Sequence, residues 1–206
     1  MTLRISGGRR LISPAGLAAR PTTSRVRLAV MNLLSARLEG ARWLDLCCGS
    51  GVMSCEALQR GVAAVVAVDQ DRAMAATART NLETVRAGLR RPVTVEVLCR
   101  PLPRWLEGGG ACRTAGGPFD LIYVDPPYGA GLHQPIAAAV LQHGWMAAGG
   151  LLVWECGSGR VPEAPPGWEL SQQRRYGSSE VVVLRPLSQQ ESPAESSMEQ
   201  GPAERL

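Results

Sequence analysis

The sequence predicts an α/β chain: a mostly parallel, seven-stranded sheet with helices on both faces, closed by a C-terminal antiparallel hairpin. Three observations carry this. From residue 42 onward, short apolar runs alternate with longer helical stretches, and parallel neighbours need such crossovers. The first of those runs ends in a glycine-containing turn that opens a helix. At the far end, two strand-like segments follow one another with no helix between them.

The elements follow in order. After Pro21, "TTSRVRLAVMNLLSARL" reads as a helix that Thr22 or Thr23 can cap, with Val26, Ala29, Val30, Leu33, Leu34 and Leu38 on an apolar stripe and Arg25, Arg27 and Arg37 largely off it. "RWLDLCC" is a strand, "GVMSCEALQR" a helix, "VAAVVAVD" a strand and "DRAMAATARTNLETVRAG" a helix. "VTVEVL" alternates as a strand, and a Gly-rich loop at 108–117 precedes the strand "FDLIYVD". A helix through "QPIAAAVLQHG" leads to the strand "GLLVWEC", and "WELSQQRRYG" and "SEVVVLRP" form the closing hairpin. This divides the chain into a basic arm and helix at 1–38, the α/β domain at 39–186 and a Ser-, Glu-, Gln- and Pro-rich tail at 187–206 that is expected to be disordered.

Charge sharpens that division. Every one of the 22 basic residues is arginine, and residues 1–38 hold seven arginines and no acidic residue. Residues 39–186 hold 14 of each sign, and the tail holds four glutamates and one arginine. A basic excess confined to one end points to a polyanion contact, with Arg4, Arg9, Arg10, Arg20, Arg25 and Arg27 as candidates; a solvated basic surface is the alternative. Gly7, Gly8, Pro14 and Gly16 interrupt any long amphipathic targeting helix, and no secretory apolar run follows the first arginines. No apolar run approaches the ~18 residues that span a bilayer, so no membrane partner is expected. Six cysteines without CxxC spacing and only two histidines argue against zinc or a disulfide framework, and free thiols in a reducing cytoplasm are the expectation.

Two motifs carry chemistry. In "LDLCCGSG", Gly49 and Gly51 flank Ser50 at the carboxyl end of a strand, where glycines let a ligand approach the backbone. Ser54 stands where a dinucleotide fingerprint wants a third glycine or an alanine. Asp45 would repel a pyrophosphate but could hold an ammonium group, and Asp69, 18 residues after Gly51, falls where a ribose-binding carboxylate belongs. A ribose-bearing ligand with a cationic amine, such as S-adenosylmethionine, fits better than a dinucleotide; plain polar strand ends are the alternative for each carboxylate. In "DPPY", Pro126 and Pro127 fix the backbone and supply no N–H donors, so a carbonyl and the Asp125 carboxylate can converge beside the ring of Tyr128. Two acceptors and a stacking ring suit a planar group bearing NH₂, such as a nucleobase unstacked from its neighbours.

"DPPY" downstream of "LDLCCGSG" resembles the class I S-adenosylmethionine-dependent methyltransferases that act on amino nitrogens. "ISGGRRLISPAGLAARPTTSRVRLAVMNLL" and "RRYGSSEVVVLR" look like the RsmD family, and the resemblance spans residues 3–186. It implies a Rossmann-like fold, S-adenosylmethionine as cofactor, no metal, and methylation of the exocyclic N2 of a guanine in small-subunit (16S) ribosomal RNA, free or in an assembling 30S subunit, by a cytoplasmic monomer. It assigns Asp45, Gly49, Ser50 and Gly51 to the cofactor loop, Asp69 to the ribose, and Asp125, Pro126, Pro127 and Tyr128 to the target base. Arg20, Pro21, Thr22 and Arg27 match the family's RNA-engaging signature. The chain departs from that pattern in a shorter basic arm and in Cys99 and Arg100, which stand where an acidic residue usually meets the adenine. An adenine-N6 methyltransferase acting on DNA or RNA, a non-catalytic RNA-binding assembly factor and a nicotinamide-dependent oxidoreductase are the rival readings.

Overall fold

The computed structural model describes residues 3–13, 23–108, 116–127 and 129–187. Arg20, Pro21, Thr22, Tyr128, Cys112 and nearly all of the tail therefore lie outside the described residues. A small hairpin, β1 (Leu3–Arg4) paired with β2 (Arg10–Leu11), precedes α1 (Ser24–Leu33) and α2 (Ser35–Leu38). Thr23 caps α1 by accepting from the Val26 N–H; Val26, Val30, Leu34 and Leu38 of the stripe are buried, Ala29 and Leu33 are half-buried, and Met31, outside the stripe, is buried too.

The large sheet then forms from β3 (Arg42–Leu46), β4 (Ala64–Asp69), β5 (Thr94–Cys99), β6 (Phe119–Val124), β7 (Met146–Gly157), β8 (Trp168–Tyr176) and β9 (Ser179–Pro186). Their spatial order is β5-β4-β3-β6-β7-β9-β8, and only β9 runs antiparallel to its two neighbours. Helices α3 (Val52–Gln59), α4 (Arg72–Arg86) and α6 (His133–Gln142) supply crossovers, with a one-turn α5 (Arg104–Glu107) after β5. The expected sheet and closing hairpin are both present.

Two cores sandwich the sheet, as alternation along buried strands demands. Trp43, Tyr123 and Val153 face α1, α3 and α4, while Leu44, Leu46, Ile122 and Val124 face α6. Ile5 and Leu11 join the first core, so the amino-terminal segment packs onto the sheet domain. On the outer edge, β8 exposes Gln172, Gln173, Arg174 and Arg175, polar groups that discourage strand pairing with another chain.

Strand order fixes where a ligand can sit. The chain builds outward through β3, β4 and β5, then returns to place β6 on the other side of β3, so a crevice opens at the carboxyl ends of β3 and β6. Several details differ from the sequence reading. The single expected helix after Pro21 breaks at Leu34 into α1 and α2, and α5 was not expected. β3 stops at Leu46 because Cys47 takes φ 64°, a left-handed conformation that ends the extended chain. β7 begins at Met146, four residues early, with a register shift opposite β6 between Phe119 and Leu121. The β1–β2 hairpin carries no periodicity long enough to be read in advance.

Candidate active site

The glycine loop leaves β3 at Cys47 and enters α3 at Gly51, which sits at φ 73° as the helix cap. A Cβ at Gly51 would lie 3.0 Å from the Ala78 Cβ on α4, so both conformation and close approach require glycine there. Gly49 has φ 53° with nothing within 4 Å of where a Cβ would stand, leaving open space over the loop. Its N–H donates to Asp69 Oδ2 at 2.8 Å, and the Asp71 N–H donates to Asp69 Oδ1 at 2.9 Å. A carboxylate has about four acceptor positions, so these bonds orient Asp69 and leave acceptors for two adjacent hydroxyls.

Asp45 is placed differently. It is buried, and its Oδ2 accepts both the Ser54 hydroxyl at 2.6 Å and the Ser54 N–H at 3.2 Å. Those bonds brace the amino terminus of α3 against β3 from below. Burial raises its carboxyl to about 7, opposed by the two bonds from Ser54. Ser54, which spoils a dinucleotide fingerprint, thus has its own task.

Asp125 follows β6 directly, and its N–H donates to the Leu46 carbonyl at 3.3 Å, which brings the DPP turn against the start of the glycine loop. Pro126 is buried, Pro127 is exposed, and the Pro127 carbonyl accepts the Ala130 N–H at 3.0 Å. The thiol of Cys47 reports the convergence: burial first, then the charges of Asp69, Asp125 and Asp45, push it up to about 12. Three carboxylates from three neighbouring strands therefore surround one point at the switch of the sheet. A cationic ligand is favoured there and a thiolate is not.

Behind this point lies a buried polar layer. The Tyr123 hydroxyl donates to Glu155 Oε2 at 2.6 Å, and the Glu155 carbonyl lies 2.9 Å from His133 Nε2. Burial and then the Glu155 charge hold the Tyr123 phenol well above its usual range, so it remains a donor.

The candidate RNA-contact arginines separate into two groups. Arg10 and Arg25 are exposed. Arg27 is 5% exposed; it pairs with Glu56 at 3.4 Å and donates to the Arg4 carbonyl at 2.6 Å. The expectation that Arg27 faces outward is corrected: it pins the amino-terminal hairpin to α1 and α3. Arg9 is half-buried and donates to the Thr84 carbonyl on α4, so it too serves the docking of the hairpin.

Three residues with structural partners here were missed in the sequence: Glu56, Asn81 and Glu155, all buried. Asn81 alone left a usable signal, since a polar residue at the spacing of Ala78, Leu82 and Val85 must be buried on α4.

The residues present fit S-adenosylmethionine: an open glycine loop, an oriented ribose-type carboxylate beside it and a negative surround for a sulfonium or ammonium group. Strand order, glycine loop and DPP turn define a Rossmann-like S-adenosylmethionine-dependent methyltransferase. The family model described as Conserved hypothetical protein 95 matches residues 3–185, and the chain belongs to that family, the RsmD family that the motifs resemble.

Relatives agree along nearly the full length. Ribosomal RNA small subunit methyltransferase D of Escherichia coli (strain K12) is 30% identical over 198 residues, 94% of each chain. The protein of the same name from Haemophilus influenzae is 25% identical over 171 residues, covering 82% of this chain and 84% of its own. Among solved structures, yhhF from Escherichia coli aligns with a TM-score of 0.74 at 30% identity, covering 90% of this chain and 98% of that one. The rRNA methyltransferase aviRa from Streptomyces viridochromogenes shares the fold, with a TM-score of 0.62 at 21% identity over 85% of this chain and 88% of its own.

Proposed function

We infer that the protein transfers a methyl group to the exocyclic N2 amine of a guanine in small-subunit ribosomal RNA. The observation that carries this reading is the pair of bonds that gather the site at the switch of the sheet, from the Gly49 N–H to Asp69 and from the Asp125 N–H to the Leu46 carbonyl just before the glycine loop. When bound, S-adenosylmethionine supplies a methyl group activated by a positive sulfur.

The remaining work belongs to the chain. Asp69 holds the ribose hydroxyls, and the backbone of Gly49, Ser50 and Gly51 forms the floor beneath the ligand. Asp45 keeps α3 in place and adds negative potential. A guanine amine is a poor nucleophile because its lone pair is delocalised into the ring. The Asp125 carboxylate and the Pro126 carbonyl accept from its two N–H bonds, localise that lone pair and aim it across the crevice. Pro127 stiffens the turn, and Tyr128 stacks on the base. Transfer is then a matter of alignment, with the reacting atoms about 3 to 3.5 Å apart.

An RNA substrate is favoured over DNA by the relatives' activity and by the exposed Arg10 and Arg25. Arg20 and Thr22 extend that contact in the same reading. The substrate is small-subunit RNA, free or within an assembling subunit, met by a single copy of the protein in the cytoplasm. Transfer of tritiated methyl to small subunits lacking the modification, followed by mapping of the labelled base, tests this. Label on a guanine N2 supports the reading, and label confined to adenine or to DNA contradicts it.

A further inference from the structure

The amino-terminal hairpin and the cofactor loop meet at one side chain. Asn81, on α4, is 1% exposed. Its Oδ1 accepts the Ile12 N–H at 2.8 Å, and its Nδ2 donates to the Ile12 carbonyl at 3.0 Å and to the Ser50 carbonyl at 3.0 Å. Both amide protons and one oxygen lone pair are thus used, two on the chain leaving the hairpin and one on the glycine loop. Ile12 contributes little packing of its own, since its side chain is 52% exposed; the backbone there is held by the amide pair. Eight residues further along the chain lies Arg20, in the segment carrying the arm's basic signature.

The geometry points to Asn81 as a positioning residue that couples the amino-terminal arm to the cofactor loop. A ligand that fixes Ser50 fixes the Asn81 amide, and that amide in turn fixes Ile12, the residue that follows β2. Coupling of this kind is reciprocal: whatever affinity the cofactor adds for RNA, RNA must add for the cofactor. Arg27 and Glu56 form a second, separate anchor. Glu56 accepts the Ser6 N–H at 3.2 Å and pairs with Arg27, but it makes no bond to the glycine loop. The Arg9 bond to the Thr84 carbonyl is a third anchor, and of the three the Asn81 amide is the one bonded to the glycine loop, which allows coupling to be told apart from mere support.

This inference rests on the reading of Ser50 as part of an S-adenosylmethionine site, and calorimetry with S-adenosylmethionine on the intact chain tests that reading first. If the intact chain does not bind it, the proposed function fails. If it binds, amide hydrogen exchange of residues 3–13 is measured with and without saturating S-adenosylmethionine. Slower exchange at Ile12 is expected, and unchanged exchange overturns the coupling whatever any variant does. Asn81→Ala is expected to weaken S-adenosylmethionine about tenfold and to abolish the ligand's effect on Ile12, whereas Glu56→Gln should loosen the hairpin while leaving that affinity within about twofold. Equal effects of the two substitutions would assign Asn81 a structural role only. In the intact chain, a 16S RNA fragment and S-adenosylmethionine should raise one another's affinity by the same factor; independent binding would contradict the proposal.

Discussion

The N–H of Gly49 and the carboxylate of Asp69 are joined at 2.8 Å, so the loop that follows β3 is held by the end of the neighbouring strand β4. Asp69 also accepts, at 2.9 Å, the N–H of Asp71, the residue that caps α4. One carboxylate thereby sets the positions of both the glycine loop and the next helix. Asp69→Asn leaves one amide oxygen where two acceptors stood. The expected outcome is a ten- to hundredfold loss of S-adenosylmethionine affinity by calorimetry, the scale of one charge-assisted bond of about 1.5 to 3 kcal/mol.

Asp45 gives the protein a pH dependence. Its folded carboxyl lies at about 7 against an ordinary 3.8, so the folded state holds this proton more tightly than the unfolded one. The stability it contributes is present at low pH, declines as pH rises between those values, and is gone above about 7. Asp45→Asn keeps an acceptor for Ser54 without the charge. Denaturant midpoints for the two proteins should diverge across that range, the variant gaining on the parent as pH rises. Parallel profiles would show that Asp45 is ionised at little cost.

Arg25 and Arg27 sit two residues apart and should behave oppositely. Arg27→Ala leaves the Glu56 carboxylate buried and without its ion pair, with an expected loss of about 3 kcal/mol in urea unfolding. Arg25→Ala, on an exposed position, should change stability by less than about 0.5 kcal/mol. Its effect should appear in RNA binding, as weaker affinity and a shallower dependence on salt.

That contrast also marks how far the sequence could be read. The strand–helix alternation, the terminal hairpin and both motifs were legible because each rests on local pattern: period in the strands, glycine at positive φ, proline where no N–H is wanted. The partners of Arg27 were not legible. Helical spacing places it off the apolar stripe, yet the hairpin at residues 3–11 folds over it and supplies Arg4 O, while Glu56 arrives from α3. Nothing in spacing announces a contact across 29 residues between two polar groups. The position of Asp45 near the end of β3 was legible, but its bonds to Ser54 depend on how the loop turns, which the left-handed Cys47 decides. Cys99 and Arg100 stand as expected at the end of β5, where the Arg100 N–H donates to the Asp69 carbonyl at 2.9 Å.

The buried layer behind the site should matter for stability rather than chemistry. Tyr123→Phe removes the hydroxyl that donates to Glu155 at 2.6 Å and leaves that carboxylate short of a partner in the core. A loss of about 1 to 3 kcal/mol in urea unfolding is expected, with S-adenosylmethionine affinity nearly unchanged.

If Asp125 grips the amine that receives the methyl group, Asp125→Ala separates transfer from cofactor binding, and single-turnover methyl transfer measured beside S-adenosylmethionine affinity reads both. Transfer to unmodified small subunits should be abolished while affinity for S-adenosylmethionine stays within a few-fold of the parent; transfer at the parental rate would remove Asp125 from the mechanism.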